Sequence, residues 1–506
     1  MIRPIIQLFA KTLTPTANRF YQSLSHPELT QKSVKQEICN LLINSEYGKS
    51  LNMNSLDDWQ HLPIVDYDDI AHHLQYQNKQ IALTPEPILF YEKTSGSSGA
   101  IKYIPYTQSL RTSFNQMFCV WVHDLITNGP KFNTGKLYAC ISPQLNLENQ
   151  TLQDDLDYLD PWLRWFLRLW LVIPDKMTTL KNTNSFQHQL ALALLKAENL
   201  ETISIWSPSF LQVQLKYIQE NRDFLKTELK KSISSQRLKL LDENNINWVE
   251  IWQDLKLISC WDSANAADQA QGLKNQFPGV LVQGKGLLAT EAPMTIPLIK
   301  AGGYVPILDQ VFFEFEDDDH NIYNLHELNV NQEYKIILSQ KGGLYRYRIG
   351  DRIKVTHYHH NTPCLQFIGR NQTTSDLVGE KLPETFVKNA LEKLNLQNTN
   401  FKSLVPISQP PHYILLLDSA TETPEKIAQK LDQSLSKSYH YQRARTLGQL
   451  TEPEVFISES IPEILVNYHL KNGGVWGGIK HQILVKLPMS IELLQAIKNH
   501  DHQNHL

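Results

Sequence analysis

Apolar positions along this chain switch between the period of a helix and the period of a strand, and the switches mark its architecture. Through residues 1–80 most apolar positions recur at helical spacing, closing in the turn-like Leu62-Pro63-Ile64-Val65-Asp66-Tyr67. The run Ile88-Leu89-Phe90-Tyr91 then reads as a buried strand, and it feeds the loop Thr94-Ser95-Gly96-Ser97-Ser98-Gly99-Ala100-Ile101-Lys102. Thr107 is an N-cap for a helix whose apolar face is Leu110, Phe114, Met117, Phe118 and Trp121. The loop therefore lies in a strand–loop–helix neighbourhood. Further strands are expected at Val280-Leu281-Val282-Gln283 and from Tyr334 to Ser339, the latter reaching a turn at Gly342-Gly343. Short strands follow from Leu344 to Arg348, Arg352 to Thr356 and Leu365 to Ile368.

After Gly369-Arg370 the polar Asn371-Gln372-Thr373-Thr374-Ser375 reads as a linker, which divides the chain into 1–370, a hinge at 371–375, and 376–506. In the last part Phe386, Val387, Ala390, Leu391 and Leu394 share a helix face, His412 to Leu417 is a strand, and Thr423-Pro424 supplies N-cap and N1 of another helix. The expectation is an α/β protein with a large N-terminal domain of mixed sheets and helices and a small α+β C-terminal domain. The tail from His500 to His505 is expected to fray. The segment Trp162 to Ile173 is too short to span a bilayer and carries Arg164 and Arg168; it reads as a buried helix, with Trp162, Trp165, Phe166 and Trp170 either lining an acid pocket or filling a core.

With 506 residues the chain needs two or three cooperating domains, and 42% apolar with 20% charged residues is ordinary for a folded soluble protein. Lys+Arg at 48 against Asp+Glu at 52 gives a net charge of −4, which offers no basic field and speaks against a nucleic-acid partner. Five cysteines lie far apart with no C-x-x-C pair, fitting neither a disulfide framework nor a zinc site and pointing to a reducing cytoplasm. The opening apolar stretch is broken by Pro4 and Gln7, unlike a signal peptide, and no integral membrane segment is expected. The sequence leaves oligomeric state open.

Four places can carry chemistry. The loop Thr94 to Lys102 collects hydroxyls, glycines and a lysine where backbone N–H groups can approach phosphate oxygens, yet lacks the G-x-x-x-x-G-K-[ST] spacing; its plain alternative is a Ser/Gly surface loop. In Gly286-Leu287-Leu288-Ala289-Thr290-Glu291 a hydroxyl beside a carboxylate can serve a phosphate and Mg²⁺, or simply start a helix. Asp351, after Gly350, can accept ribose hydroxyls or sit in a hairpin turn, and Arg370 can reach the same nucleotide or remain a solvated charge. Lys480, in Gly477-Gly478-Ile479-Lys480, is by its spacing alone a surface lysine. His357 and His359 share a strand face and read as solvated histidines, and the cluster Glu314, Glu316, Asp317, Asp318 and Asp319 reads as an acidic hairpin tip without calcium-loop spacing.

In this order the segments resemble the adenylate-forming superfamily. More closely, Gly286 to Glu291, Gly343 to Asp351, Trp206-Ser207-Pro208-Ser209-Phe210-Leu211 and the Gly-Ile-Lys ending resemble the auxin-responsive Gretchen Hagen family of acyl-acid amido synthetases, over nearly the whole chain. The resemblance implies ATP and Mg²⁺ as cofactors and a small carboxylic acid and an amino acid as substrates. It assigns Thr94, Ser95, Gly96, Ser97, Ser98, Gly99 and Lys102 to the β- and γ-phosphates, Thr290 to the α-phosphate, Glu291 to Mg²⁺, Asp351 to the ribose and Arg370 to the nucleotide near the hinge. Lys480 would bridge carboxylate and α-phosphate. Relatives often carry an aromatic residue that stacks on adenine where this chain has Leu287, so apolar contact with Leu287 or another ring is expected instead. The implied reaction makes an acyl-AMP with release of pyrophosphate and then an amide, with the small domain rotating between the steps. Thioester formation with coenzyme A and a silent nucleotide- or acid-binding sensor are the alternatives.

Overall fold

The computed structural model describes residues 2–74, 83–93, 102–139, 170–174, 183–243, 245–370, 374–472 and 482–503. The N-terminal stretch is helical as expected, with long helices at Arg3–Ser23 and Pro27–Ile43. Strands β1 (Ile88–Lys93) and β2 (Tyr103–Thr107) form an antiparallel pair, and residues 94–101, which join them, lie outside the described residues. The helix Gln108–Asn128 follows, and the Thr107 hydroxyl accepts from the Leu110 N–H at 3.3 Å, the cap anticipated above.

A parallel sheet follows, of β3 (Lys136–Ala139), β4 (Leu200–Ser204), β5 (Leu257–Cys260) and β6 (Leu281–Gly284), in that order. Helices between its strands cover it, and every residue of β5 is buried, as a parallel strand enclosed on both faces requires. Two small antiparallel pairs follow, β7 (Leu288–Ala289) with β8 (Ala292–Pro293) and β9 (Thr295–Leu298) with β10 (Gly303–Pro306). A five-stranded antiparallel sheet has the order β12 (Ile322–Asn324), β11 (Val311–Glu316), β13 (Glu333–Gln340), β14 (Leu344–His359), β15 (Thr362–Arg370). A short pair, β16 (Thr374–Ser375) and β17 (Leu382–Pro383), leads into the C-terminal sheet β18 (Lys402–Ser408), β19 (Pro411–Leu417), β20 (Glu454–Ile457). On β19 the side chains alternate: Tyr413, Leu415 and Leu417 join one core, Ile414 and Leu416 another. Helices on both faces of this sheet explain why its central strand is apolar from Tyr413 to Leu417.

Several local expectations change. Residues 344–359 form one strand interrupted by bulges, because β13 and β15 pair along opposite edges of it; two short strands were expected there. Leu171 and Val172 are extended, not helical: the Leu137 N–H donates to Trp170 O and the Val172 N–H to Leu137 O, so this stretch edges β3. Trp170 packs beside Gly135, at the start of β3, away from the strand's carboxyl end. Residues 162–169 lie outside the described residues. The tail is helical through Gln503 because Leu493 and Ile497 of Ile491–Gln503 enter the core on one face of the C-terminal sheet. Glu314 and Glu316 point inward and pair with Arg346 and Arg348, leaving only Asp317 to Asp319 at the hairpin tip. His357 Nε2 faces Ala301 O at 2.8 Å and so ties β14 to the β9–β10 connection. Among the described residues no helix is long and apolar enough to cross a membrane, and Cys39, Cys119, Cys260 and Cys364 are free and buried.

The C-terminal sheet and its helices pack on the region of the parallel sheet. Lys402 Nζ meets Asp268 Oδ2 at 2.7 Å, and Val466 and Leu470 of the helix Ile461–Lys471 enter the core around the parallel sheet.

Candidate active site

In a sheet of parallel strands the carboxyl ends point the same way and open into a crevice where ligands bind. Here that edge carries Ser204 at the end of β4, Cys260 with Trp261 and Asp262 at the end of β5, and Gly284 with Lys285 at the end of β6. Asp262 accepts from Tyr304 Oη and, at 2.9 Å, from Ser263 Oγ. Burial, with Asp262 beside it, raises the Tyr304 phenol, and the same two causes push the Cys260 thiol up to about 12. Cys260 is thus no ready thiolate nucleophile.

From β6 the chain turns through Gly286, whose φ of +69° favours glycine and whose missing Cβ leaves room for Thr295 Oγ1. The Leu287 N–H donates to that hydroxyl at 2.7 Å, which anchors the β7–β8 hairpin. Thr290 and Glu291 form the turn of the hairpin, between the paired residues Ala289 and Ala292; they do not start a helix. Tyr106 on β2 donates from Oη to Thr290 O at 2.8 Å, and its ring stacks on Phe90 of β1 at 4.9 Å. The β1–β2 pair, which flanks the hydroxyl-rich loop, is thereby fastened to the Thr-Glu turn. Glu291 is 8% exposed and Thr290 half-buried, so a carboxylate and a hydroxyl share one tight turn. That donor set fits Mg²⁺, which takes one or two carboxylates and completes its shell with phosphate oxygens and water.

Lys102 sits just before β2 with Nζ 5.2 Å from the centre of the Tyr67 ring, and Tyr67 Oη accepts from the Tyr103 N–H at 2.9 Å. Asp351, 5% exposed, lies within β14 directly opposite Arg370 of β15, inside the strand where a strand end or hairpin turn was expected. β15 packs against the turn Ala264–Ala266, which follows Asp262, so the Asp351–Arg370 rung belongs to the same neighbourhood as the crevice. Leu287 is 3% exposed and part of the main core, so it does not offer its side chain to a base; turning into that core is what Leu287 gains from the Gly286 bend. Thr94 to Gly99 and Lys480 lie outside the described residues. Just past Lys480 the chain is hooked to β18, the Leu404 N–H donating to Ile483 O and the Val485 N–H to Leu404 O.

Tyr106, Asp262, Tyr304, Lys285 and Trp261 were not picked out from the sequence. The signal available for Trp261, Asp262 and Lys285 was topological: each strand of a parallel sheet ends beside the site, so the residues just after each strand are candidates.

Models of the GH3 family match in chain order: its N-terminal domain over residues 16–282, its central domain over 304–370 and its C-terminal domain over 384–488. The chain belongs to the GH3 family. Among curated relatives, an indole-3-acetic acid-amido synthetase, GH3.4 of Arabidopsis thaliana, is 20% identical over 95% of this chain and 93% of its own. The jasmonoyl-L-amino acid synthetase JAR4 of Nicotiana attenuata is 32% identical over 23% of this chain and 21% of its own, and alignments to the other curated relatives span about a fifth to a third of their length. The solved acyl acid amido synthetase AtGH3.15 in complex with 2,4-DB shares the fold, with a TM-score of 0.78, 18% identity and coverage of 97% of this chain and 96% of that one. A 2-hydroxyisobutyryl-CoA ligase in its postadenylation state, with R3-HIB-AMP, matches at a TM-score of 0.51 and 12% identity over 97% of this chain and 92% of its own. As a GH3 protein whose curated relatives are named amido or amino acid synthetases, this chain is an enzyme, a ligase.

Proposed function

We propose that this GH3 protein adenylates a small carboxylic acid with ATP, releasing pyrophosphate, and then transfers the acyl group to the amine of an amino acid to form an amide. A carboxylate resists attack because addition would put more charge on an anion; attaching AMP removes that charge and supplies a leaving group. The catalytic problem is therefore to hold two mutually repelling anions in line, and positioning with electrostatic stabilisation answers it. In this reading Thr290 contacts the α-phosphate, the loop Thr94 to Gly99 with Lys102 holds the β- and γ-phosphates, Asp351 accepts the ribose hydroxyls and Arg370 lies against the nucleotide. Glu291 would hold Mg²⁺, which supplies charge neutralisation on the phosphates. Lys480 bridges the acid and the α-phosphate in the first step and is withdrawn in the second.

The observation that carries the reading is the bond from Tyr106 to the Thr290 carbonyl, which joins the phosphate-loop strands to the Thr-Glu turn. The division into 1–370, a hinge at 371–375 and 376–506 is supported by the end of β15 at Arg370 and by the separate core formed by Leu382, Leu391, Leu415 and Leu431. The test is pyrophosphate release from ATP and Mg²⁺ over a panel of aromatic and aliphatic acids, with mass spectrometry of products made with mixed amino acids or coenzyme A. Acid-dependent release with an amide product is expected. A thioester product would move the protein to the coenzyme A branch, and nucleotide binding without release would make it a sensor.

A further inference from the structure

Lys285 stands at the carboxyl edge of the parallel sheet inside an aromatic frame. Its Nζ donates to Ser204 Oγ at 2.8 Å and lies 5.0 Å from the centre of the Trp206 ring and 5.9 Å from that of Trp121. Trp261 packs on Trp206 with ring centres 5.8 Å apart. The frame is fixed on every side: Trp121 Nε1 donates to Gln283 Oε1 at 2.9 Å, the Trp261 N–H to Trp206 O at 2.8 Å, and the Lys285 N–H to Cys260 O at 3.1 Å. A Cβ at Gly284 would overlap Asp262 and the Tyr304 hydroxyl, so the floor is closed as well. Yet all three indoles and the lysine remain half-buried. Trp121 packs against the main core and Trp206 against the core of the parallel sheet, which places the frame on the seam between them. Apolar walls with a few fixed polar groups, partly open on a seam, are the make-up of a small-molecule site.

The direction in which Lys285 reaches decides what it can meet. It leaves the chain at the end of β6, which leads into the Thr290–Glu291 hairpin, but its ammonium is held at Ser204, the end of β4. β4 lies two strands in from β6, roughly 10 Å at the usual strand spacing. The charge is thus carried away from the hairpin where the proposed adenylation takes place. We infer that Lys285 is a specificity-determining residue that meets the far end of the acid and selects planar carboxylic acids bearing a hydrogen-bond acceptor there, such as a hydroxyl, oxo group or second carboxylate. The indoles stack on the planar body, and the ammonium, already stripped of part of its water by the rings, donates to the acceptor. A hydrocarbon tail in the same place would cover the ammonium and take water from it without adding an acceptor, a penalty that disfavours such acids. The inference rests on the ligase reading only for the identity of the reaction; the selection is a property of binding.

Indole fluorescence reports acid binding independently of turnover. Benzoate, 4-hydroxybenzoate and benzene-1,4-dicarboxylate are titrated into the full chain, and pyrophosphate release is followed with the same acids. Wild type should bind the two acceptor-bearing acids about 10-fold more tightly than benzoate, the range of one charge-assisted hydrogen bond. Lys285→Met should erase that preference while leaving benzoate binding unchanged or tighter, and Lys285→Arg should restore part of it. Equal affinity for all three acids in wild type overturns the inference, and that measurement needs no variant to fold. So does a Lys285→Met loss that is equal across the three, since the ammonium would then be serving the shared carboxylate or the fold. Selective binding without pyrophosphate release supports Lys285 and removes the ligase reading, whereas release with no discrimination keeps the ligase and overturns Lys285.

Discussion

Removing one oxygen atom, in Tyr106→Phe, isolates the contact on which the site's assembly depends. The ring would keep its place, because Phe90 stacks on it at 4.9 Å and Phe114 at 5.7 Å, and Tyr106 is fully buried. What is lost is the 2.8 Å bond to Thr290 O, which crosses 184 residues of sequence. A neutral hydrogen bond contributes a net ~0.5–1.5 kcal/mol. If that energy holds the Thr-Glu turn against β2, its loss should slow acid-dependent pyrophosphate release by roughly 2- to 12-fold, at 1.4 kcal/mol per factor of ten. Thr290 is half-buried, so water can partly replace the lost donor, which favours the lower half of that range. The assay is ATP–pyrophosphate exchange under saturating acid, alongside a thermal melt. The thermal midpoint should fall by no more than a few degrees, since no cavity opens. Unchanged exchange with a lowered midpoint would refute the reasoning, because the bond would then serve only stability. A loss beyond roughly 100-fold would refute it too, since one neutral positioning bond cannot account for that.

Three further outcomes are expected. Lys480→Ala should depress adenylation far more than aminolysis of a supplied acyl-adenylate, and equal losses in single-turnover assays of the two steps would count against rotation of the small domain. Asp309 is buried, and that burial, only partly offset by Gln116, raises its carboxyl to about 6 from an ordinary 3.8. A raised carboxyl binds its proton more tightly in the folded state, so its contribution to stability is present below pH 4 and lost as pH rises through 6. Asp309→Asn should therefore stabilise the protein by up to roughly 3 kcal/mol above pH 6, with the gain shrinking by about 1.4 kcal/mol on going from pH 8 to pH 5 in urea melts. Glu314→Ala leaves the Arg346 guanidinium, which Glu314 Oε2 meets at 3.0 Å in the interior, without its carboxylate, and should cost about 3–5 kcal/mol by denaturant titration. A loss under about 1 kcal/mol there would show that Leu62 O, at 2.7 Å from Arg346 Nη1, suffices to hold the guanidinium.

The places where expectation and structure differ share a cause. Thr107 and Thr423-Pro424 announced their helices because a helix start is set within one turn: the Thr107 hydroxyl caps the first, and Pro424 pre-sets the backbone at the start of the second. Leu171 and Val172 looked helical from their neighbours but are extended, because Leu137 supplies the backbone partner. The tail from His500 to His505 looked polar enough to fray, yet its described part, through Gln503, is helical, because Leu493 and Ile497 hold that helix to the sheet. Glu314 and Glu316 belonged by composition to an acidic tip, and the alternation of β11 turns them inward, where Arg346 and Arg348 of β14 meet them.

By itself the sequence determined the elements that local physics governs, namely caps, turns, the apolar faces of helices and the central strands, together with the order of the motifs that mark a GH3 protein. The elements depend on neighbours one to four residues apart, whose geometry the chain carries wherever it is placed, and the order of the motifs is read directly from the chain. Only the tertiary structure decided that Tyr106 fastens the Thr290–Glu291 turn, that Asp351 faces Arg370, that Leu287 is spent on the core, and that Lys285 reaches across to Ser204. Those are contacts set by strand order and register, and a one-residue slip in register would send each side chain to the other face of its sheet.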